Sequence, residues 1–458
     1  MQGTTVNHLG SESFAHLLAT RVPRYTSYPV ATRFHGGVGK DLFRGWLSNL
    51  PDAAPLSLYL HIPFCSSLCW FCGCHTSVVN HYGPVENYLD LLEREIDLVS
   101  RCISGSHRVA HVHLGGGTPT ILESNDLYRL GEHLKRRFEF TADTEFAIEI
   151  DPRSLSREKI AVLADLGVNR ASLGVQDCHP DVQRSVNRWQ PFDLTMQAAH
   201  ELREAGITSL NIDLMYGLPH QTVAHLEDTI DQVLTLDPDR LAVFGYAHLP
   251  EQIRHQALIP KPSLPDIDER LRQFEAAYRI LVSRGYSAIG LDHFAKPTDP
   301  LAIAHADGGL RRNFQGYTSD GGQALIGLGA SAISALPDGY AQNAAGVPAY
   351  RKAILDNDFA TVRGFGLDDD HRLRAAVIER LMCDLSVDLE RVAAAFDRPA
   401  DIFSPEIAAL KRFTDNGIVV ISENVLTVVP EARAALRLVC SVFDRYMQAE
   451  NIRHSVAI

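Results

Sequence analysis

Runs of apolar and β-branched residues alternate with amphipathic stretches along much of the chain. Each apolar run ends in a polar residue or a glycine, and the stretches between runs have helical periodicity, as in residues 86–100 and 226–236. The apolar runs cover residues 56–62, 109–117, 144–151, 170–177, 209–217, 240–248 and 287–295. This alternation predicts parallel strands joined by crossover helices. Six or seven such units favour an α/β fold with a full or partial barrel, and a doubly wound open sheet is the alternative.

The pattern changes beyond about residue 365. Amphipathic helical segments occupy residues 367–396 and 405–417, an alternating segment at 416–429 predicts a β-hairpin, and residues 431–448 predict a last helix. These elements predict a mainly helical C-terminal domain with a winged-helix character. We therefore expect three parts, which are an N-terminal segment over residues 1–50, a catalytic barrel over 51–364 and the helical domain over 365–458.

Composition and charge narrow the functional classes. The chain has 458 residues, of which 45% are hydrophobic, and its formal net charge is −13 at pH 7. A protein that binds nucleic acid or anionic membranes is usually basic, so we expect neither partner. No run of about 18 apolar residues is present, so we expect no membrane span. Residues 1–14 lack the basic-then-apolar pattern of a signal peptide, and we expect a cytoplasmic protein.

Polar residues and glycines cluster where the predicted strands end. In parallel barrels the active site lies at the carboxyl ends of the strands, so these residues are candidates for one shared site. They are His61, Gly115, Gly116, Gly117, Thr118, Pro119, Glu149, Asp151, Gln176, Asp177, Asp213, Tyr246, His248, Asp292 and His293. Single members also have a structural interpretation, because Asp151 can cap a turn before Pro152 and three glycines can form a tight turn. Glycines also let backbone amides approach a ligand closely, and we expect ligand contact at residues 115–119.

Four cysteines, Cys65, Cys69, Cys72 and Cys74, fall within ten consecutive positions. Structural zinc sites usually take two ligand pairs that are well separated along the chain, and the sequence has no second pair. A C-x2-C redox motif would use Cys69 and Cys72 and leave Cys65 without a role. Three thiolates within eight residues suit an iron–sulfur cluster, which the spacing favours over zinc or redox thiols. The remaining cysteines are expected to be buried thiols, and they are Cys102, Cys178, Cys383 and Cys440.

The form C-x3-C-x2-C, with the aromatic Phe71 directly before its last cysteine, resembles the motif of the radical S-adenosylmethionine (SAM) enzymes. In that superfamily three cysteines hold a 4Fe-4S cluster whose open iron binds the amino and carboxylate groups of SAM. An electron from the cluster cleaves SAM and releases a 5′-deoxyadenosyl radical. The resemblance implies a partial TIM-type barrel, and it identifies a superfamily but no substrate.

Further stretches that carry information are PRYTSYP (23–29), LYLHIPFCSSLCWFCGC (58–74), HLGGGTPT (113–120), NIDLMYGLP (211–219) and GLGASAIS (327–334). Together they resemble the oxygen-independent coproporphyrinogen III oxidases over nearly the whole chain. PRYTSYP and Cys74 are the most specific, because related heme chaperones typically lack both. The resemblance implies anaerobic oxidative decarboxylation of two propionates of coproporphyrinogen III to vinyl groups, giving protoporphyrinogen IX in heme biosynthesis. A heme chaperone and a radical SAM methyltransferase on the same scaffold are the alternatives.

The resemblance also implies cofactors and site residues. The ligands of one 4Fe-4S cluster correspond to Cys65, Cys69 and Cys72. The family binds two SAM molecules, and contacts to the one on the cluster correspond to Tyr59, Phe71, Gly116, Glu149 and Ile333. Contacts to the second correspond to Gly117, Thr118, Gln176, Arg188, Asp213 and Ala247. The residue types suit these roles, because carboxylates accept hydrogen bonds from ribose hydroxyls or an ammonium group, and arginine can bind a carboxylate through two hydrogen bonds.

Cys74 is surplus as a cluster ligand. It lies two positions after Cys72, so in an extended loop the two side chains would point in opposite directions. We therefore expect Cys74 to face the cofactor or substrate cavity as a catalytic residue, and a packed thiol is the alternative.

The substrate implied by the resemblance sets two further expectations. It carries four carboxylates while the chain is acidic, so the pocket must be locally basic. We expect some of the arginines in or near PRYTSYP (23–29) and NFQGYT (313–318) to reach the propionates. These arginines are Arg24, Arg33, Arg311 and Arg312. We also expect a reductase or flavodoxin-like electron donor and a monomeric enzyme.

Overall fold

The computed structural model describes residues 11–321, 324–447 and 454–458. The strands are β1 Leu56–Ile62, β2 Phe64–Cys65, β3 Ser77–Val78, β4 Arg108–Gly116, β5 Glu139–Ile150, β6 Arg170–Gln176, β7 Ser209–Tyr216, β8 Arg240–Gly245, β9 Ser287–Ile289, β10 His293–Ala295, β11 Arg311–Asn313, β12 Gly316–Thr318, β13 Ala324–Leu328, β14 Ile333–Leu336, β15 Gly339–Asn343, β16 Thr361–Gly366, β17 Ser386–Asp388, β18 Val419–Ser422 and β19 Val425–Val428. The α-helices are α1 Ser11–Leu18, α2 Lys40–Ser48, α3 Gly83–Cys102, α4 Ser124–Arg137, α5 Arg157–Asp165, α6 Pro180–Ser185, α7 Phe192–Glu204, α8 Val223–Leu234, α9 Ile267–Ser283, α10 Pro300–Ala306, α11 Val347–Leu355, α12 Asp369–Asp384, α13 Leu389–Ala395, α14 Ser404–Ala409, α15 Lys411–Asp415 and α16 Leu436–Cys440.

The central sheet has twelve strands in the order β16-β15-β14-β13-β1-β4-β5-β6-β7-β8-β10-β9. From β1 through β4 to β8 each strand pairs in parallel with the next one along the chain, and β13 pairs in parallel with the other side of β1. A doubly wound sheet reverses its strand order near the middle. This succession continues in one direction, so the predicted α/β fold with a partial barrel is confirmed.

The prediction of one last barrel strand over residues 287–295 is wrong. Residues 287–295 form two short antiparallel strands, β9 and β10, and β10 pairs antiparallel with β8. Gly290 turns the chain between them with a φ of +52°, a conformation that glycine adopts at no steric cost. A Cβ atom there would lie 2.0 Å from Cζ of Tyr317. The run predicted at 240–248 also ends early, at Gly245.

A tyrosine on α3 holds the carboxyl end of β1, where the cysteine-containing loop begins. The Tyr88 hydroxyl donates to the carbonyl of His61 at 2.9 Å and accepts from the amide of Ala330 at 2.8 Å. Tyr88 is fully buried, so these bonds form without competition from water. They tie β1 to the turn between β13 and β14.

A buried carboxylate on the same helix fastens that turn. Glu95 accepts hydrogen bonds from the Gly329 amide at 2.6 Å, from Asn343 at 2.6 Å and from the Tyr350 hydroxyl at 2.7 Å. Desolvation by burial raises the pKa of Glu95 to about 7 in spite of these donors. Helix α3 thus fixes two adjacent strand ends at the edge of the barrel that carries the cysteines.

The C-terminal part combines helices α12–α16 with a small sheet in the order β17-β19-β18. The hairpin predicted at 416–429 is present as β18 and β19. The segment 367–396 is not wholly helical, because Leu385 adopts a left-handed φ of +58° that ends α12 before β17. The last predicted helix is reduced to α16 between 3-10 turns, and residues 448–453 lie outside the described residues.

Two expectations concern the chain as a whole. In the part of the chain that the structure describes, no helix is long and apolar enough to cross a membrane. The N-terminal residues 1–10, which entered the prediction of a cytoplasmic protein, lie outside that part. The division into three parts at residues 50 and 364 stays a prediction.

Candidate functional site

The loop after β1 places the four clustered cysteines on the wall of one cavity, which we name the cysteine cavity. Residues from the ends of several parallel strands and their loops complete its wall, since parallel strands end at one edge of the barrel. Among them are Phe71, Gly116, Gly117, Thr118, Glu149, Asp151, Arg153, Gln176, Arg188, Asp213 and Phe244. Eight of the fifteen strand-end residues singled out from the sequence line this cavity, and they are Gly116, Gly117, Thr118, Pro119, Glu149, Asp151, Gln176 and Asp213.

Backbone carbonyls of the cysteine loop are held by side chains from elsewhere. Asn187 donates to the carbonyl of Leu68 at 2.8 Å, and Gln256 donates to that of Phe71 at 2.9 Å. A ring nitrogen of His255 lies 2.7 Å from the Cys72 carbonyl. The loop conformation is therefore set by residues that come after β6 and β8.

Each of the three candidate cluster ligands has hydrogen-bond donors at its sulfur. Thr76 and Thr118 lie 3.3 and 3.4 Å from Sγ of Cys65. Arg188 and Arg153 donate to Sγ of Cys69 at 3.4 and 3.7 Å. The amide of Cys74 donates to Sγ of Cys72 at 3.4 Å. Donors around cysteine sulfurs stabilise thiolates and tune iron–sulfur clusters.

Cys74 lines the cysteine cavity, but its direction differs from the sequence-based prediction. Its thiol interacts directly with that of Cys72 and lowers the pKa of Cys72, whereas the prediction had the two side chains pointing apart. The prediction was wrong because the loop between Cys65 and Thr76 is irregular and not extended. Cys74 retains exposed surface and faces the open space of the cavity.

Glu149 occupies the centre of the edge between β4 and β5. Its Oε2 accepts from the amide of Gly116 at 3.2 Å, and its Oε1 lies 3.1 Å from Nε2 of His113. A Cβ atom at Gly115 would lie 2.8 Å from Oε1 of Glu149 and 2.9 Å from Cε2 of Tyr59. Tyr59 thus packs directly behind this carboxylate without lining the cavity itself.

Gln176 and Arg188 pack side by side over Gly174. Strand β6 has a bulge between Gly174 and Gln176, and Gln176 has a φ of +71°, which is uncommon for a residue with a side chain. Arg188 is buried, donates to the Gly174 carbonyl at 2.5 Å and lies 3.5 Å from Asp151. Its Nε is buried and has no hydrogen-bond partner. Backbone strain at such a place is typical of functional sites.

Asp213 lies on β7 and faces the same cavity. It accepts hydrogen bonds from Ser172 at 2.8 Å and from Asn211 at 2.9 Å. Desolvation by burial nevertheless raises its pKa above the usual range. This carboxylate is thus fixed in direction, and a donor or cation in the cavity would stabilise its charge.

Several candidates do not line the cysteine cavity. They include His61, Gly115 and His248, and also Tyr246, Asp292 and His293, which lie on the wall of a neighbouring cavity. Ala247 borders a neighbouring cavity, and Ile333 lies in β14. Asp177 is buried and accepts from Gln221 at 2.7 Å and from the amide of His179 at 2.6 Å, which is a structural role. Of the scattered cysteines, Cys383 and Cys440 are buried as expected, whereas Cys102 and Cys178 are only partly buried.

The donor set suits an iron–sulfur cluster. Three thiols share one cavity wall, and each sulfur has a donor that can stabilise its negative charge. In the described ranges, no three His, Cys, Asp or Glu side chains converge as a single metal ion would require. The thiols are therefore arranged differently from the ligands of a mononuclear zinc site, which converge on one ion.

The sequence did not reveal the residues that support the cysteine loop. Arg153 lies two positions after Asp151, and its Nη2 donates to Oδ2 of Asp151 at 2.6 Å. The sequence EIDPR (149–153) held a signal for Arg153, because an arginine so close to a strand-end carboxylate can join the same site. Asn187, His255 and Gln256 carried no comparable signal, since they act on backbone carbonyls.

Comparisons with known proteins agree with this geometry. Residues 59–233 match the family model of the radical SAM superfamily. The chain is 44% identical over 438 residues to oxygen-independent coproporphyrinogen III oxidase of Bradyrhizobium diazoefficiens, covering 96% of this chain and 97% of that protein. It is 40% identical over 427 residues to the Escherichia coli protein of the same name, covering 93% of each.

A solved structure extends the match to three dimensions. Coproporphyrinogen III oxidase from Escherichia coli, described as a radical SAM enzyme, superposes with a TM-score of 0.89 at 39% identity. The superposition covers 93% of this chain and 100% of that one. Since sequence and structure agree with these relatives over nearly their whole length, the chain belongs to the oxygen-independent coproporphyrinogen III oxidases of the radical SAM superfamily.

Proposed function

We propose that this chain is an oxidoreductase that converts coproporphyrinogen III to protoporphyrinogen IX in anaerobic heme biosynthesis. In each of two rounds, one propionate loses a hydrogen atom from its β-carbon, then CO2 and one electron, and becomes a vinyl group. The observation that carries the proposal is the convergence of three spaced thiols with fixed carboxylates in one cavity. The name shared by the relatives supports the choice of substrate.

Cys65, Cys69 and Cys72 hold the 4Fe-4S cluster in this proposal. When bound, the cluster and the SAM on it supply the 5′-deoxyadenosyl radical for hydrogen abstraction. The chain contributes position and charge: donors from Thr76, Thr118 and Arg188 stabilise the thiolates. The hydrogen bonds to the loop carbonyls keep the three sulfurs in place before the cluster binds.

Glu149, Gly116 and Phe71 form the core of the proposed contact set for the SAM on the cluster. Glu149 offers an acceptor to the ammonium group or a ribose hydroxyl, and its direction is fixed by the Gly116 amide. Phe71 offers an apolar face to the adenine. Tyr59 acts from behind Glu149, and Ile333 stays in the proposal on the family resemblance alone.

The second SAM is proposed to contact Gly117, Thr118, Gln176, Arg188 and Asp213. Asp213 provides an acceptor whose charge a cationic ligand would stabilise, since burial disfavours that charge in its absence. Arg188 keeps one buried donor, Nε, without a partner and can direct it to a ligand carboxylate. The sixth residue, Ala247, borders the neighbouring cavity and would touch this SAM only from that side.

The remaining parts of the proposal concern Cys74, the partners and the domains. Cys74 is proposed as a cavity thiol needed for turnover, as a hydrogen or electron relay. A reductase or flavodoxin-like protein is proposed as the electron donor, acting on a monomeric enzyme without nucleic acid. We also propose that residues 51–364 form the catalytic barrel between the N-terminal segment and the helical domain.

Product analysis after anaerobic turnover tests the activity. The reconstituted protein, incubated with SAM, a reductant and coproporphyrinogen III, should give protoporphyrinogen IX and 5′-deoxyadenosine. Heme binding without decarboxylation would indicate a chaperone, and a methylated product would indicate a methyltransferase. Either result would overturn the proposed function.

Equilibrium dialysis tests the number of SAM molecules. Holoprotein should bind two SAM molecules at saturation, and Arg188→Ala should weaken one site by about tenfold, the effect of a lost charged hydrogen bond. The cluster absorbance should persist in that variant. Saturation at one molecule per chain would rule out the second site.

A further inference from the structure

A second cavity adjoins the cysteine cavity and has a different charge. Its charged lining consists of four arginines and one carboxylate, which are Arg24, Arg270, Arg312, Arg437 and Asp292. We name it the arginine cavity. Phe244 lines both cavities, so the two spaces meet at the end of β8.

The four arginines come from distant parts of the chain. Arg24 belongs to the N-terminal segment, Arg270 to α9 and Arg312 to β11, and Arg437 lies in α16. Their clustering is a product of the tertiary structure. The chain has a formal net charge of −13, yet the surface of the arginine cavity is strongly basic.

Main-chain oxygens and an aromatic ring, rather than side-chain carboxylates, hold these guanidinium groups in place, and Arg270 also donates to the main-chain oxygen of Ile458 at 2.8 Å. Arg24 donates to the Gly245 carbonyl at 3.0 Å, and Arg270 donates to the Tyr246 carbonyl at 2.9 Å. Arg312 lies 4.2 Å from the ring centroid of Tyr317. None of these contacts to Arg24, Arg270 and Arg312 comes from a side-chain carboxylate.

Asp292 alone does not balance the positive charge of the four arginine side chains. It lies 2.8 Å from Nδ1 of His293, and the His293 bond with the charges of Arg312 and Arg24 outweighs desolvation and lowers its pKa. Among the charged side chains of the lining, four guanidinium groups face one carboxylate, so positive charge is in excess. Buried charges without partners are unfavourable, which makes the cavity a strong attractor for anions.

Two of the arginines keep unused donors. Nε of Arg270 and Nη1 of Arg312 are buried and have no hydrogen-bond partner in the structure. Buried donors are normally satisfied, so orphaned donors point to a missing acceptor. Arg24 lies beside them, and it retains accessible surface because it borders the open space of the cavity.

Arg437 adds positive charge to the arginine cavity, but its guanidinium already binds main-chain carbonyls. Its guanidinium donates to the carbonyls of Pro23, Val22, Val456 and Ala457, so it holds the N-terminal and C-terminal segments together. It is therefore a structural residue of the cavity wall.

Two of the arginines singled out from the sequence lie elsewhere. Arg311 pairs with Glu379 at 3.0 Å on an exposed surface, and Arg33 donates to the Tyr446 carbonyl at 2.8 Å. Neither lines the arginine cavity. Arg311 thus provides a control of the same residue type, next to Arg312 in the chain.

The size of the cavity limits what it can hold. Its volume is about 190 Å³, below the roughly 300–1,000 Å³ of pockets that enclose a drug-sized ligand. That space suits one or two carboxylate-bearing side chains and is too small for a tetrapyrrole ring. The ring must then lie at the junction with the cysteine cavity, near Phe244.

We propose that Arg24, Arg270 and Arg312 bind a substrate carboxylate that is not reacting, and so orient the ring while another propionate lies at the cysteine cavity. This inference rests on the proposed function and deepens it. Guanidinium groups suit the task, because they bind carboxylates through paired hydrogen bonds. The anchor explains how a tetra-acid is recognised by an acidic protein.

Binding of coproporphyrin III, the stable oxidised form of the proposed substrate, tests the proposal. Its tetra-amide serves as the uncharged counterpart, and binding to reconstituted holoprotein is measured by anaerobic fluorescence titration. Arg24→Gln and Arg312→Gln should each weaken binding of the tetra-acid by tenfold to hundredfold, the effect of losing charged hydrogen bonds. Both should leave the affinity for the tetra-amide unchanged within about twofold.

Controls separate a binding role from a folding defect. Arg311→Gln should bind both porphyrins like wild type. Iron content and SAM affinity of Arg24→Gln and Arg312→Gln should equal those of wild type. Arg312→Lys should recover only part of the lost affinity, because lysine restores the charge but lacks the paired donors.

Two outcomes have distinct meanings. If wild type binds the tetra-acid and makes product while the double variant Arg24→Gln/Arg312→Gln binds it equally well, the anchor is refuted and the proposed function stands. If wild type neither binds coproporphyrin III nor forms product, the function itself has failed. Equal loss of affinity for acid and amide would also refute the anchor, because it would show a change of shape and not of charge.

Discussion

The cysteine cavity and the arginine cavity share a wall but differ in their charge balance. The cysteine cavity carries three carboxylates and two guanidiniums, and both guanidiniums interact with Asp151 and Cys69. The arginine cavity carries four guanidiniums and one carboxylate. A site for a cofactor that brings its own positive charge can be acidic, whereas a site for a multiply anionic substrate must supply cations. The two charge balances support the proposal that the cysteine cavity takes cationic SAM and that the arginine cavity takes a substrate carboxylate.

A third group of buried charges contains as many carboxylates as guanidinium groups. Arg170 and Arg240 both contact Asp299 at 3.3 and 2.6 Å, and Arg170 also pairs with Glu145 at 3.2 Å. Two cations here face two carboxylates, and the charges balance. The imbalance in the arginine cavity is therefore a local property and not a general feature of this barrel.

Replacement of any one cluster ligand should abolish the proposed function of the cysteine cavity. Cys65→Ser, Cys69→Ser and Cys72→Ser should each lose the iron and all product formation. Cys74→Ser should keep its iron and visible absorbance but fall below about a tenth of wild-type product formation, the scale of a lost proton or hydrogen relay. Iron analysis and anaerobic turnover check this. Loss of iron in Cys74→Ser would make Cys74 a ligand and leave the three-ligand assignment untenable.

The balanced network and the arginine cavity should respond oppositely to loss of a charge. Asp299→Asn leaves two buried arginines without their shared carboxylate and should lower the free energy of unfolding by about 3–5 kcal/mol. Arg24→Gln should leave the ligand-free protein as stable as wild type or more so, because desolvation disfavours the Arg24 charge more than Asp292 favours it. Urea unfolding of ligand-free protein measures both. A large destabilisation by Arg24→Gln would mean that the arginine is structural.

Glu95 provides a pH test outside both cavities. Its pKa is raised to about 7 in the folded protein from about 4.5 in the unfolded chain, so the folded state binds the extra proton. Its stabilising effect is present below about pH 4.5 and is lost as the pH rises through 7. The loss is up to about 3 kcal/mol. Glu95→Gln should flatten this part of the pH dependence of unfolding, and an unchanged slope would contradict the buried position of the carboxylate.

Two matched glycine substitutions, one in each cavity, should impair the binding of different ligands, and we expect the smallest effects from them. A Cβ atom at Gly117 would lie 2.6 Å from the Phe64 carbonyl oxygen, and one at Gly245 would lie 2.8 Å from the Tyr216 hydroxyl. Each alanine variant should cost about 1–3 kcal/mol through overpacking. Gly117→Ala should weaken iron and SAM binding, and Gly245→Ala should weaken coproporphyrin III binding.

The control for this pair is Gly45→Ala. Gly45 lies within α2 with no atom near its Cβ position, so this variant should be neutral or slightly stabilising. If Gly117→Ala and Gly245→Ala impaired the same ligand, the two cavities would not be functionally distinct.

Local sequence patterns were sufficient to predict the barrel and most of the cysteine cavity. Strand and helix periods are local signals, and the strand ends meet by the geometry of parallel sheets, so Glu149, Gln176 and Asp213 could be placed together in advance. The spacing of Cys65, Cys69 and Cys72 is also local. The hairpin at 287–295 was missed, because its apolar run continues through the turn at Gly290.

Which arginines share a cavity depends on tertiary packing and could not be predicted from the sequence. Arg24 and Arg312 were singled out from nearby motifs together with Arg33 and Arg311, and nothing in the sequence distinguished between the pairs. Arg270 gave no signal at all, because it lies in an amphipathic helix where an arginine is usually a solvated residue. Its inward position depends on how α9 packs against the ends of β7 and β8, and such long-range packing cannot be read from local periodicity. The same applies to the direction of Cys74, which the irregular path of its loop determines.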